Sequence, residues 1–232
     1  MSDVTVRKQK LRKSTVKMRL IIFGTLAALL VVCSFFSAYL TPYDPYLQDL
    51  SIAKQAPSAQ HLLGTDRYGR DMLSRVIAGS RASIFSTLLL VAIITALGTA
   101  VGVTCGWTGG WVDTVLMRIS DVFLAFPGLV FALAVAGSLG GGLQNAIIAL
   151  AAISWPKYAR IARSQTLAQK ETQWMKAVRL SGSGTGKIIL KHILPNILGP
   201  ILVTSMLDIG TMMMELAALS FLGLGAKPPI PE

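Results

Sequence analysis

Two long runs without a charged residue constrain this chain more than any other feature of its sequence. One run covers residues 20–40 and the other covers residues 83–107. Each is long enough to cross about 30 Å of hydrocarbon as a helix. The composition agrees, since 53% of the residues are hydrophobic and only 14% are charged, which is unusual for a soluble domain. The sequence therefore predicts a membrane protein with at least two transmembrane helices.

Further apolar stretches raise the predicted number of helices. Residues 122–156 carry no charge, but three consecutive glycines at residues 140–142 interrupt them, so we predict two helices there. Residues 196–224 are also apolar, with Asp208 and Glu215 as their only charges. The prediction is an all-α, polytopic membrane protein in which five transmembrane helices are present.

The charged residues predict how the chain is oriented. Lys and Arg number 22 against 11 Asp and Glu, an excess that in a soluble protein would suggest a nucleic-acid partner. Here seven basic residues lie within residues 1–19 and eight within residues 157–191, so the positive-inside rule predicts that both segments are cytoplasmic. Residues 41–82 are nearly balanced in charge, as expected of an external loop. We therefore predict a cytoplasmic N-terminus and no nucleic-acid partner.

The basic segment at residues 1–19 leads into the first predicted transmembrane helix at residues 20–40. Cleaved signal peptides have a similar pattern, but this apolar run is long for one and no convincing small-residue cleavage site follows it. A signal anchor is therefore favoured. Cys33 and Cys105 both fall within apolar runs, where packing is their expected role.

Residues 41–82 are predicted to form an external loop. A turn cluster at residues 41–45 ends the first helix. Two glycines and alternating charges at residues 61–75 are typical of a compact loop. Four apolar residues at helical spacing then predict a short amphipathic helix on the membrane surface, with a solvated loop as the alternative: Met72, Leu73, Val76 and Ile77.

The second basic segment begins with Lys157, Arg160 and Arg163, which recur every three residues along one helix face. That face fits either an anchor at the membrane interface or a partner-binding surface. Arg118 and Asp121, at the start of the third predicted span, are spaced to form an ion pair on one helix face.

The rest of this segment predicts a knob between two spans. Residues 171–180 can form a short helix, a glycine-rich stretch at residues 181–186 breaks it, and a second short helix can resume until Pro195 ends it. Two short helices joined by a turn would make a rigid protrusion that suits the transmission of force.

The glycine-rich stretch also resembles a phosphate-binding loop. However, Ser181 stands where that motif requires Gly, Ile188 stands where it requires Ser or Thr, and no buried strand precedes it. Nucleotide binding by this chain is therefore not predicted.

The last predicted span holds the clearest candidates for a translocation path. A charge at the centre of a span costs about 2.5–3.5 kcal/mol, so such residues usually face a partner or an aqueous path. Four residues share one stripe at i, i+3, i+4 and i+7: Asp208, Thr211, Met212 and Glu215. Hydrogen bonding between helices is the alternative role.

Metal binding and catalysis have little support in the sequence. The thioethers of residues 212–214 could bind a soft metal, although packing is the commoner role. His61 and His192 are the only histidines, so no histidine cluster is visible. Convergent catalytic groups are absent as well. We predict no metal site, no cofactor and no enzymatic activity.

Residues 171–195 resemble the cytoplasmic "EAA" loop of ABC importer permeases. Ala177 and Gly182 match the second and seventh positions of that pattern, and residues 193–195 lie near its final Ile-x-Leu-Pro. Lys176 stands where the pattern has Glu, and Val178 where it has the second Ala. The spacing of the motif is intact although its acidic residue is missing.

Other blocks are similar to the peptide/nickel branch of the same family, and the similarity extends over about residues 18–232. They include residues 109–121 and residues 219–229. In the external loop, six residues carry the resemblance: Gly64, Thr65, Asp66, Gly69, Arg70 and Asp71.

The resemblance implies a permease subunit of an ATP-driven importer in the bacterial inner membrane. It implies six spans, so residues 83–232 would be a type-1-like permease domain that lacks the final helix. Expected partners are a second homologous permease subunit, two ABC ATPase subunits that hydrolyse ATP, an extracytoplasmic substrate-binding protein and the lipid bilayer. The residues expected to couple to the ATPase are Trp174, Met175, Lys176, Ala177, Val178, Gly182, Leu194 and Pro195.

The cargo follows less directly from the sequence. The resemblance implies nickel, a metal chelate, or a di- or oligopeptide as the cargo. The sequence of residues 207–214 is closer to that of the nickel permeases. A gradient-driven secondary carrier, or a membrane scaffold without ATPase coupling, is the alternative function.

Overall fold

The computed structural model describes residues 2–232, with side chains described for residues 16–178 and 180–232. The basic side chains within residues 1–15, which contribute to the prediction of a cytoplasmic N-terminus, therefore lie outside the described side chains. The fold is all-α, and the described residues contain no strand. A 3-10 turn at Leu50–Ile52 and a π-helical turn at Ile189–Ile193 accompany nine α-helices in these residues: α1 (Ser2–Phe35), α2 (Ser37–Leu40), α3 (Met72–Thr108), α4 (Gly110–Ala125), α5 (Gly128–Ser138), α6 (Leu143–Lys170), α7 (Gln173–Leu180), α8 (Thr185–Ile188) and α9 (Leu194–Phe221).

Several of these helices are able to cross a membrane. By length and composition, three segments of the described chain qualify: Val16–Phe35, Met72–Thr108 and Thr185–Phe221. A fourth is obtained if α4 and α5, which bend by 93°, count as one broken span. The chain is thus a polytopic membrane protein. The number of five spans stays a prediction, because α6 is not among these segments.

Residues 1–84, together with residues 229–232, form one compact unit. It holds α1, α2, the loop before α3 and the first turns of α3. The predicted short amphipathic helix was wrong as a separate element, because Met72 begins a single helix of 37 residues. Asp71 precedes that helix and accepts a hydrogen bond from the amide of Ser74 at 2.8 Å, as an N-cap does. The cap starts the helix here, and the sequence that follows, which is uncharged from residue 82 onward, offers no break until Thr108.

Residues 85–228 form the second compact unit, and α6 lies at its centre. α6 contacts α4, α5, α7 and α9. Its buried side chains include Leu150, Tyr158 and Ala162, which belong to the same buried core as Ile197 and Ile201 of α9. Many large apolar side chains on the outer faces stay exposed, as expected where lipid replaces water as the solvent.

Small residues allow α3 to approach α6 closely. Gly98, Gly102 and Gly106 recur every four residues, so they share one face of α3. A Cβ atom at any of them would overlap atoms of α6: the Tyr158 side chain at Gly98, the Ala159 carbonyl at Gly102 and the Thr166 side chain at Gly106. This small-xxx-small pattern is a common basis of helix pairing in membranes.

Two breaks separate the helices between α4 and α6. The predicted break at residues 140–142 is confirmed, since all three glycines have positive φ angles that other residues rarely adopt. The bend between α4 and α5 was not predicted. Phe126 there is extended, with φ −95° and ψ 147°, which is the conformation that a following proline imposes on the residue before it.

Pro195 does not end a helix, and that prediction was wrong. α9 begins at Leu194, and Pro195 occupies its first turn. Pro195 has no amide to donate to the preceding turn, and the helix is irregular directly before it, with a π-helical turn at Ile189–Ile193. The π-helical turn at Ile189–Ile193 joins α8 to α9 without a gap, so the second half of the knob is the start of a long helix.

Candidate coupling surface and membrane charge cluster

The short helix α7 has one face anchored to the protein and one face open. Met175 is completely buried in the core of the second unit, and Val178 packs against that core. The residues of the opposite face are exposed at i, i+3, i+4 and i+7: Gln173, Lys176, Ala177 and Leu180. Leu180 is 90% exposed, so α7 presents an apolar side chain that nothing in the described chain covers.

Contacts beyond α7 hold the rest of the loop in place. The indole of Trp174 lies against the His192 ring, with centroids 6.1 Å apart, and links α7 to the π-helical turn. Gly182 makes the turn between α7 and α8 with φ +73°, a value that suits glycine. Ile188 and Ile193, which follow this turn in the chain, are buried.

The structure places six of the eight predicted coupling residues between α7 and the π-helical turn, and the other two, Leu194 and Pro195, at the start of α9 directly after it. Met175, Val178 and Leu194 are buried or half-buried against the core. Five of them are exposed: Trp174, Lys176, Ala177, Gly182 and Pro195.

The basic face of α6 contacts other helices of the same chain. Arg163 forms a two-bond ion pair with Asp113 of α4, at 2.5 and 2.6 Å. Arg160 pairs with Asp121 of α4 at 2.5 Å. The predicted pairing of Asp121 with Arg118 is also present at 3.6 Å, although it is solvent-exposed. Bidentate Arg–carboxylate pairs are the stronger kind, so the Asp113 pair is the main polar contact between α4 and α6.

The last basic residue of α6 caps another helix. Lys170 donates hydrogen bonds to the carbonyls of Gly106 at 3.0 Å and Trp107 at 2.7 Å. A cation at the C-terminal end of a helix compensates carbonyls that have no partner within it. Lys170 also lies 5.7 Å from the centre of the Trp107 ring.

The four residues proposed for the translocation path do not share one environment. Asp208 is 5% exposed and contacts α6: it accepts hydrogen bonds from Lys157 Nζ at 2.7 and 2.9 Å and from the Tyr158 hydroxyl at 2.9 Å. Met212 is buried, Glu215 is half-buried and Thr211 is exposed. The contacts of Asp208 are those expected of hydrogen bonding between helices, and Glu215 has no ion pair within the described residues.

The partner of Asp208 was not predicted from the sequence, where Lys157 was grouped with the basic face of α6. A signal was available. An aspartate inside a span needs a compensating group, and Lys157 lies about as far before the loop at residues 171–195 as Asp208 lies after it.

An apolar groove of about 670 Å³ lies between α3 and α9 in the second unit, and its lining includes Thr99, Ile201 and Met206. Neither Asp208 nor Glu215 lines it. The groove is therefore separate from the charged residues of α9.

Most of the six residues singled out in the predicted external loop are buried within that loop. Gly64, Thr65, Gly69 and Asp71 are buried. The Thr65 hydroxyl donates to the carbonyl of Ile52. Gly69 has φ +72°, and a Cβ there would overlap the backbone of Asp49. These residues fit a role in shaping the loop.

Two aspartates organise the same loop. Burial acts to raise the pKa of Asp66, but hydrogen bonds from Arg70 and the amide of Tyr68 outweigh it and lower that pKa. Burial also acts to raise the pKa of Asp71, but hydrogen bonds from Ser74 and His61 outweigh it, so this pKa is lowered as well. His61 Nδ1 lies 3.0 Å from Asp71 Oδ1.

Among the described side chains, no group of three His, Cys, Asp or Glu residues is placed to hold a metal ion. The methionines at residues 212–214 do not converge either, since Met212 is buried and Met214 is 72% exposed.

Comparison with known proteins identifies the family. Residues 98–232 match the model of the binding-protein-dependent transport system inner membrane component. A glutathione transport system permease protein of Shigella flexneri serotype 5b (strain 8401) is 45% identical over 206 residues, which is 88% of this chain and 68% of the relative. The nickel transport system permease protein of Escherichia coli (strain K12) is 39% identical over 205 residues, 88% of this chain and 74% of the relative.

Other comparisons agree. A dipeptide transport system permease protein of Alkalihalophilus pseudofirmus is 39% identical over 214 residues, 89% of this chain and 70% of the relative. Among solved structures, the MetNI methionine ABC transporter in inward-facing conformations matches with a TM-score of 0.58 over 67% of this chain and 77% of that chain, at 21% identity, which supports the fold alone. The chain therefore belongs to the family of binding-protein-dependent transport system inner membrane components, the permease subunits of ABC importers.

Proposed function

We propose that this permease couples ATP hydrolysis by partner subunits to import through the knob formed by α7, α8 and the π-helical turn. One observation carries the proposal: α7 is anchored by Met175 on one side and open on the other. A partner that pushes on the open face would transmit its displacement to the core through the anchored face. A freely mobile loop would absorb the same displacement.

The route of that displacement leads into the membrane. The knob connects the C-terminal end of α6 to the N-terminal end of α9, and Lys157 and Asp208 join these helices further along. The two helices would then move together, as a packed pair, when the knob moves. This joint movement is the step we propose for alternating access.

The proposed assembly follows the family. It contains a second homologous permease subunit, two ABC ATPase subunits and an extracytoplasmic substrate-binding protein, with the N-terminus of this chain in the cytoplasm. The gradient-driven carrier is not favoured, because the family match is to permeases of ABC systems.

For the cargo, we propose a small peptide or a metal species that presents positive charge. The relatives are named for glutathione, nickel and dipeptides. Asp208 is compensated by Lys157, whereas the half-buried Glu215 keeps its carboxylate free of ion pairs in the described residues. A positively charged group on the cargo would compensate Glu215 during passage.

The coupling role is tested with the complete complex in proteoliposomes. We expect Ala177→Trp to leave the fold intact, because Ala177 is exposed, but to reduce uptake per ATP hydrolysed. Ala28→Trp, on an exposed face of α1, is the matched control. Normal uptake per ATP in the Ala177→Trp complex, at normal subunit stoichiometry, would contradict the proposal.

A further inference from the structure

The loop between α6 and α9 carries positive charge that its own chain does not compensate. Residues 171–193 contain four basic residues and one acidic residue, Glu171. Lys176, Lys187 and Lys191 are all exposed, and none of the three has an ion pair within the part of the chain that the structure describes. The knob therefore presents at least three lysine ammonium groups to its surroundings.

This differs from the neighbouring helix. Each of the four basic residues of α6 has a partner inside the chain, either a carboxylate or a helix-terminal carbonyl: Lys157, Arg160, Arg163 and Lys170. The chain thus places acidic residues or carbonyls opposite the cations of α6, and, among the described side chains, no acidic residue opposite the three knob lysines. Cations without an internal partner are available for a partner outside the chain.

On the open face of α7, one lysine lies beside an apolar side chain. Lys176 and Leu180 are four residues apart on α7, so they are neighbours on its open face. Leu180 is 90% exposed and Ala177, beside it, is small. Protein interfaces commonly have apolar side chains at the centre and polar or charged ones at the rim, and the pair of Leu180 and Lys176 fits that composition.

We infer that the knob binds a partner surface with an apolar cleft and an acidic rim, and that this surface belongs to the ATPase subunit. The inference rests on the proposed coupling function and adds the chemistry of the contact. Leu180 and Ala177 enter the cleft, and Lys176 faces a carboxylate of the partner. The permease pattern that this loop resembles has an acidic residue at position 176, so the charge of this contact is reversed and the ATPase that fits this chain carries the complementary sign.

A lipid surface is the competing occupant, because lysines also bind anionic headgroups. It is less favoured, because the open face of α7 combines one lysine with the neutral side chains of Gln173, Ala177 and Leu180. Membrane-surface helices instead carry several basic residues along one polar face.

The test measures ATPase binding to the permease pair in nanodiscs that contain only phosphatidylcholine, with purified, fluorescently labelled ATPase subunits of the same system. We expect Lys176→Glu to weaken binding roughly tenfold at low salt, and Lys176→Gln to weaken it less. Binding to the wild-type chain should weaken as salt rises, and this dependence should be smaller in Lys176→Glu. Lys54→Glu makes the same charge change in the loop before α3 and should bind like wild type.

The outcomes separate the two proposals. If the wild-type permease pair binds the ATPase subunits but Lys176→Glu binds equally well with the same salt dependence, the charge assignment is wrong and the coupling role stands. If Lys176→Glu changes only the association with nanodiscs that contain phosphatidylglycerol, the lysine serves the lipid and the inference is also wrong. If the wild-type pair does not bind the subunits at all, the proposed function fails first.

Discussion

The basic residues of α6 have partners within the chain, whereas the described basic residues of the knob do not, although both groups lie in one segment of the sequence. The α6 cations form ion pairs with α4 and α9 or cap α3. The knob lysines are exposed, with no ion pair in the described residues. The difference suggests how a permease separates two tasks: internal pairing holds the helices together, and uncompensated charge is presented to another subunit.

The largest expected effect comes from the packing of α3 on α6. Gly102→Leu would place a side chain where the Ala159 backbone lies, and α3 cannot move away from α6 without losing the hydrogen bonds that Lys170 donates to its last turn. We expect a destabilisation of about 3 kcal/mol, measured as a lower midpoint of thermal unfolding in detergent. Gly24→Leu, where a Cβ meets nothing within 4 Å, is the control. Equal midpoints for the two variants would show that the α3–α6 contact is loose.

The second-largest expected effect is a difference in stability between variants on the two faces of α7. Met175→Ala removes a completely buried side chain and should cost about 2 kcal/mol. Lys176→Ala, one residue away and exposed, should change the stability by less than about 0.5 kcal/mol. The measurement is the unfolding midpoint together with protease sensitivity of the knob. Similar values for both variants would mean that α7 is not anchored.

The link between α6 and α9 gives an intermediate effect. Asp208→Ala would leave the Lys157 ammonium without its carboxylate, and we expect a loss of about 1–2 kcal/mol, reduced because the Lys157 side chain is 52% exposed. The exchanged variant, Lys157→Asp with Asp208→Lys, should recover part of the stability and of the uptake per ATP hydrolysed.

A purely local role for Asp208 predicts a different result. In that case the single variant would lower stability while transport per ATP remained normal. The coupled movement of α6 and α9 would then need another explanation.

The smallest effect concerns the loop before α3, where Asp66 and Asp71 are paired within the chain, as are the aspartates that meet α6. The pKa values of Asp66 and Asp71 are lowered in the folded protein. Their contribution to stability is therefore complete above their unfolded pKa values and is lost as the pH falls through the folded ones. We expect hydrogen exchange in residues 49–71 to be unchanged from pH 7 to pH 5 after correction for intrinsic rates, and to accelerate below about pH 4. Asp71→Asn should show the faster exchange already at pH 7.

Much of the local structure could be predicted from the sequence. The charge-free runs predicted apolar helices, the glycines at residues 140–142 predicted a break, and the spacing around Gly182 predicted a short helix, a turn and a second helix. These features depend on residues close together in the sequence. Two local predictions failed because the context changed their meaning: Pro195 starts a helix instead of ending one, and the residues after Met72 continue into a span.

Contacts between distant segments could not be predicted in the same way. Lys157 and Asp208 are separated by 51 positions along the chain, and nothing near either residue identifies the other. The same limit applies to α7, where the periodicity of eight residues does not reveal which face meets the core. It also explains why three of the α6 cations were grouped as one basic face, although each has a different partner.

The sequence by itself determined that this chain is a helical membrane protein of the importer-permease type, because uncharged length and motif spacing are local properties. Only the tertiary structure decided which charges are compensated and which are not. An ion pair forms when the fold brings two side chains within about 4 Å, and that distance depends on how α4, α6 and α9 pack. The functional distinction between the α6 cations and the knob lysines is therefore a product of packing.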